Sequence, residues 1–195
     1  MLEPKYKRLY LRKKWVQLNE KQQLQYFLKT YPIFRSALAL GQLCVGDEKF
    51  PWRKDIVQGF LESAKDIKDM ELHFTIGEAL VCATLGPLSP KGRNLWKVEE
   101  DSYKPKVDAS HSDAEVGFIL DELVNKYTLS TNPSEKQASC VWLLALVKQA
   151  KDHHIVKDNL MKIQSAFMGL LGDNNDLVQD AASKGLGLVY EVIDL

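Results

Sequence analysis

Ala138-Ser-Cys-Val-Trp-Leu-Leu-Ala-Leu-Val147 is apolar on almost every side of a helix. A surface helix carries only an apolar stripe, so this segment has to pack on more than one neighbour. Leu72-His-Phe-Thr-Ile-Gly-Glu-Ala-Leu-Val-Cys-Ala83 and Val178-Gln-Asp-Ala-Ala-Ser-Lys-Gly-Leu-Gly-Leu-Val189 are milder versions of it. Placing Leu72, Glu135 and Val178 in register aligns Thr75 with Ala138 and Ala181, then Leu80 with Leu143 and Leu186. Three residues before each start stand Asp69, Asn132 and Asn175, all N-cap or turn formers. Small residues (Thr75, Gly77, Ala79; Ala138, Ser139; Ala181, Ala182, Gly185) gather where two helix backbones would approach closely. A fourth copy starting at Pro32 places Leu40-Gly41 on Leu186-Gly187.

The four starts, 32, 72, 135 and 178, lie 40, 63 and 43 residues apart. The long interval contains residues 86–113, with Pro87, Pro90, Pro105, Gly86, Gly92 and many charges. Without about 20 residues of such a loop, every interval matches the period of two-helix HEAT-type repeats. Amphipathic stripes fill the places between the dense segments. They are Ile56, Val57, Phe60, Leu61 and Ala64; Val116, Ile119, Leu120, Leu123, Val124 and Tyr127; and Val156, Leu160, Ile163, Phe167 and Leu170. These spacings follow the helical period, and no stretch alternates with period two.

The expectation is therefore an all-α superhelix, a HEAT/ARM-like solenoid of about four two-helix repeats in a single array over 1–195. The repeats are expected at about 15–45, 55–85, 114–149 and 156–191, with 86–113 as a flexible loop insertion. Outer and inner helices pair as 55–67 with 71–85, 114–128 with 134–149, and 156–171 with 176–191. Leu24, Phe27, Leu28 and Tyr31 supply the outer helix of the first pair. Such units bury their stripes only against neighbours, so the core runs along the stack.

Composition narrows the function classes. The 195 residues hold 26 Lys+Arg against 26 Asp+Glu, a formal net charge of zero, with 45% hydrophobic and 27% charged residues. That balance is ordinary for a folded chain and gives no electrostatic case for nucleic acid. The longest near-continuous apolar run, Val141 to Val147, is far short of the ~20 residues that span a bilayer. Cys44, Cys82 and Cys140 are odd in number, far apart and without a CxxC pair, which argues against a disulfide framework or thiolate zinc site. The basic start (Lys5, Lys7, Arg8, Arg12, Lys13, Lys14) lacks the apolar region of a secretory signal; interleaved Tyr6, Leu9, Tyr10 and Trp15 favour a helix with one solvated face, the alternatives being a nuclear localisation patch or a docking site for an acidic partner. A cytoplasmic and nuclear location is expected.

Chemistry is sparse. His153-His154 is the most tempting pair, yet no Cys or acidic partner stands at ligand spacing beside it, so it reads as a polar interhelical turn. His73 and His111 are isolated. Asp173-Asn-Asn-Asp176 has Val178 and Lys184 where a calcium loop requires Gly and Glu, and reads as a turn. Gly185-Leu-Gly187 lacks the third glycine of a dinucleotide fingerprint and reads as close helix packing. No catalytic, cofactor-binding or metal-ligating set is expected, and no cofactor. Polar residues of the inner helices, Glu78, Lys136, Gln179 and Lys184, are the candidate partner-binding residues, with Trp96 of the long loop as a candidate anchor.

Ser130-Thr-Asn-Pro-Ser-Glu-Lys-Gln-Ala-Ser-Cys-Val-Trp-Leu-Leu-Ala-Leu-Val147, Ile163-Gln-Ser-Ala-Phe167 and Gln179-Asp-Ala-Ala-Ser-Lys-Gly-Leu-Gly-Leu-Val-Tyr-Glu191 resemble the large HEAT-repeat proteasome adapter and scaffold proteins. Phe74-Thr-Ile-Gly-Glu-Ala-Leu80 is similar to the same family, as is the acidic stretch around Trp96 and Glu99-Glu-Asp101. The likeness covers about residues 50 to 191, and Lys184–Glu191 is its most specific block. It implies a non-catalytic scaffold that binds the 26S proteasome, both regulatory and core particles, and supports its assembly, quality control or localisation. It implies no nucleic acid, no membrane insertion but peripheral attachment to endomembranes, and adjoining repeats of a longer chain as neighbours. The ending Val192-Ile-Asp-Leu195 departs from the family, and the chain is expected to be a fragment of a longer solenoid. Periodicity alone leaves open another HEAT scaffold, a nuclear transport receptor or phosphatase scaffold, and an all-α metalloenzyme using His153-His154.

Overall fold

The computed structural model describes residues 35–45, 50–89 and 112–193. The basic start, the first outer helix, Trp96, Glu99–Asp101 and His111 lie outside the described residues. Within them the chain is helical and contains no strand. The helices are α1 (35–45), α2 (Arg53–Ser63), α3 (Met70–Leu85), α4 (Asp113–Glu122), α5 (Pro133–Ala150), α6 (His154–Asp158), α7 (Leu160–Leu170) and α8 (Asp176–Ile193). Adjacent helices pack as in a helical-repeat solenoid. The inner helices α3, α5 and α8 stack in that order, and α2, α4 and α7 lie along their outer sides.

The inner helices start alike because their caps are alike. Asp69 accepts a hydrogen bond from the Glu71 N–H at 3.0 Å, Asn132 from Ser134 at 2.9 Å and Asn175 from Leu177 at 3.0 Å. Each satisfies one of the backbone donors that a helix start leaves unpaired. The register holds inward as well: Thr75, Ala138 and Ala181 are buried, and so are Leu80, Leu143 and Leu186.

α5 sits at the centre and is apolar all round for that reason. On one side the Trp142 Nε1–H donates to the His73 carbonyl of α3 at 2.9 Å. Gly77 makes room for that indole, since a Cβ there would lie 3.2 Å from Trp142 Cδ1. On the other side the Cys140 thiol donates to the Val178 carbonyl of α8 at 3.5 Å. One register position holds Ala79, Trp142 and Gly185 in turn. Each is sized by its neighbour: Gly41 of α1 lies on the backbone of Ala79, and the Phe167 ring covers Gly185.

Three local features differ from the sequence reading. Leu40 was aligned with the buried leucines but is 40% exposed; α1 instead buries Ala37, Gly41, Cys44 and Val45. A Cβ at Gly41 would come within 2.6 Å of the Ala79 carbonyl oxygen, so the close approach, rather than the leucine, sets the contact stripe. The outer stripe after α4 continues as a π-helical turn, Leu123–Tyr127, with Thr128 N–H bonded to Leu123 O at 3.0 Å. Its extra residue keeps Leu123 and Tyr127 facing the core. The last outer helix is split at Asn159 into α6 and α7.

The first residues of the expected long loop are ordered. α3 ends at Gly86, whose φ of 54° is a conformation that other residues rarely adopt. A short 3-10 turn, Gly86–Leu88, follows. The Arg53 guanidinium is buried against this turn and donates to the Cys44 carbonyl at 3.3 Å, placing positive charge at the C-terminal end of α1.

Candidate functional site

Two polar clusters stand at the ends of the helices. The first gathers around Asp173 in the α7–α8 turn. Lys136 of α5 forms an ion pair with its carboxylate at 3.2 Å. The Asn175 N–H donates to the same side chain at 3.0 Å, and Gln179 Nε2 donates to the Asp173 backbone carbonyl at 2.6 Å. Two of the candidate partner-binding residues, Lys136 and Gln179, thus meet on one residue that the sequence reading had assigned only to a turn. Lys184 pairs with Asp180 one turn along α8. Glu78 is half-buried on α3. The structure brings Lys136 and Gln179 together, while Glu78 and Lys184 stand apart from them. Trp96 lies outside the described residues.

The second cluster surrounds His153-His154, which lie at the turn between α5 and α6. Asp113, the first residue of α4, brings its carboxylate to both rings: 3.4 Å to His153 Nε2 and 3.2 Å to His154 Nε2. The rings stack with centroids 4.9 Å apart and planes 15° from parallel. The Ser112 hydroxyl is 3.0 Å from His153 Nε2. His153 is also the N-cap of α6, its Nδ1 accepting from the Ile155 N–H at 3.3 Å. Burial pushes the His153 pKa down, the neighbouring His154 lowers it further, and Asp113 opposes both. An acidic partner was absent at local spacing because it is supplied 40 positions upstream, across the boundary between two helix pairs.

His73, the three cysteines and Gly185 are packed inside the described residues. His73 is fully buried beneath Trp142, the rings edge to face at 6.0 Å, and burial pulls its pKa down to about 4. The three cysteines are buried and unbridged. Burial, reinforced by Asp173, pushes the Cys140 thiol up to about 12, so it behaves as a small apolar group. Gly185 is a packing glycine, whereas Gly187 has nothing within 4 Å of a would-be Cβ. The 173–176 segment is an interhelical turn.

These features define the class: a helical-repeat solenoid with capped, stacked inner helices. No protein-family model and no solved structure matches the chain. Curated relatives do. The chain is 45% identical over 158 residues to the human proteasome adapter and scaffold protein ECM29, covering 81% of this chain and 8% of that protein. It is 35% identical over 159 residues to the Drosophila melanogaster proteasome-associated protein ECM29 homolog, covering 82% and 8%. The Saccharomyces cerevisiae proteasome component ECM29 matches over 77 residues at 39% identity, 40% of this chain and 4% of that one. The chain belongs to the ECM29 family and spans about 8% of the length of the human and fly relatives.

Proposed function

We propose that this chain is a non-catalytic adaptor segment that takes part in binding the 26S proteasome and in its assembly, quality control or localisation. The observation that carries this reading is the 45% identity over 158 residues to a protein named as a proteasome adapter and scaffold. A stack of helices whose inner members start at matched caps suits the role, because it presents a fixed surface and needs no reacting group. Contact with both regulatory and core particles, through Glu78, Lys136, Gln179, Lys184 and Trp96, belongs to the same proposal, as does a cytoplasmic and nuclear location.

The test uses the full 195-residue chain, immobilised, with purified 26S proteasome, regulatory particle and core particle offered separately. Saturable retention of the 26S particle is expected. Glu78→Lys and Lys184→Glu should each weaken retention while leaving the melting temperature unchanged. Failure of all three particles to bind at micromolar concentration would sink the reading.

A further inference from the structure

We infer that Asp113, His153 and His154 form a binding site for a divalent transition-metal ion of the zinc type. The site ties the first turn of α4 to the α5–α6 turn. One carboxylate and two imidazoles offer ligand atoms that all lie within 4.8 Å of one another. Ligands held by tetrahedral zinc at about 2.0–2.1 Å stand roughly 3.4 Å apart. The separations of 3.4 Å from Asp113 Oδ1 to His153 Nε2 and 3.2 Å from Oδ2 to His154 Nε2 each have the length of such an edge, through different oxygens of one carboxylate. An N–H···O hydrogen bond spans about 2.7–3.2 Å, so the 3.4 Å separation is longer than one and the 3.2 Å separation lies at its upper end. Indeed Asp113 Oδ1 is buried and has no hydrogen-bond partner. A cation seated between the carboxylate and the rings would satisfy it.

The remaining features suit that occupant. Imidazole nitrogen with one carboxylate oxygen is a donor set that zinc accepts readily. His154 is about half exposed, 55% by side chain, which leaves an entry path and the freedom to close the third edge. Solvent on that side supplies a fourth ligand. Two contacts of His153 work against affinity, and the first is the Ser112 hydroxyl, which lies 3.0 Å from Nε2, the atom that would bind the metal. His153 Nδ1 accepts the Ile155 N–H, so ligation through Nε2 moves the ring proton to Nδ1 and releases that cap. Losing a cap of this kind weakens binding roughly fivefold. A dissociation constant on the order of ten micromolar is therefore expected rather than the tighter binding of a closed structural site.

Such an ion would do mechanical work. Asp113 begins the outer helix of one pair and the histidines begin the outer helix of the next, so a bound ion fixes the angle between consecutive units.

Calorimetric titration of the untagged, chelator-treated full chain with zinc chloride tests the site. One zinc per chain is expected, and His154→Ala and Asp113→Asn should each weaken binding about tenfold or more. Because His154 is exposed, its variant should keep the wild-type circular dichroism and melting temperature. Cobalt substituted for zinc should give weak visible absorption without a thiolate charge-transfer band. Binding by His154→Ala equal to wild type, a thiolate band, or no uptake of zinc at on the order of a hundred micromolar would each overturn the inference.

Discussion

α5 and α8 are both inner helices of 18 residues with the same kind of cap, yet they are built to different demands. α5 buries ten of its residues and meets α3 on one side and α8 on the other. α8 buries six, on the face turned to α5 and α7, and leaves Leu177, Tyr190 and Ile193 exposed. The contrast separates two properties that are easily merged. Helix identity and register are set locally, by cap and period, and are equal in both. How much apolar surface each buries follows how many neighbours it meets among the described residues.

The sharpest way to break this comparison is to empty the central position. Trp142→Ala removes a fully buried ring and its bond to α3, and should cost about 4 kcal/mol in chemical denaturation. Leu186→Ala on α8, with a residue still 9% exposed and neighbours on fewer sides, should cost about 2 kcal/mol. Equal losses would mean that the two helices are equivalent after all.

Acid should act on the α3–α5 seam. His73 has a native pKa near 4 against an ordinary 6.5, because burial disfavours the charged ring. The unfolded chain therefore takes up that proton first. Stability is complete above pH 6.5 and falls as pH drops from there toward 4, by about 3 kcal/mol in all for this group. Unfolding curves at pH 7 and pH 4.5 should show the loss, and His73→Gln should flatten that dependence. An unchanged slope in the variant would take the effect away from this seam.

Smaller changes sharpen the comparison. At Gly185 a Cβ would lie 2.4 Å from the Phe167 ring, itself fully buried, so Gly185→Ala should cost about 2 kcal/mol. Gly187→Ala, with open space around it, should be neutral or slightly stabilising through its better helix propensity. Asp69→Ala, Asn132→Ala and Asn175→Ala should each cost about 1 kcal/mol. Unequal costs along that series would show that the caps, like the packing, depend on position in the stack.

Much of this architecture was legible before any coordinates. Period and N-caps are properties of a few consecutive residues, so the inner helices, their register from Thr75 to Ala181 and their starts at Asp69, Asn132 and Asn175 could be read directly. What escaped depends on how one pair lies on the next. Leu40 fits the pattern of the other leucines, but the approach of Gly41 to Ala79 turns it outward. Asp113 carries no mark that it will meet His153 and His154, because their proximity is a product of the stacking angle. Lys136 and Gln179 were picked as surface charges and polar groups, while their shared anchor on Asp173 again required two turns to be placed side by side.

Two buried bonds that α5 makes sideways also bear on how the stack would respond to tension. On the α3 side the tie is an indole N–H to a carbonyl at 2.9 Å; on the α8 side it is a thiol, a weak donor, at 3.5 Å, with the partly exposed Lys136–Asp173 ion pair at the adjoining turn. Drawn out along its axis, the array has a stiff joint followed by a compliant one. Extension should therefore begin between α5 and α8, leaving the Trp142 joint closed as the point from which the rest swings.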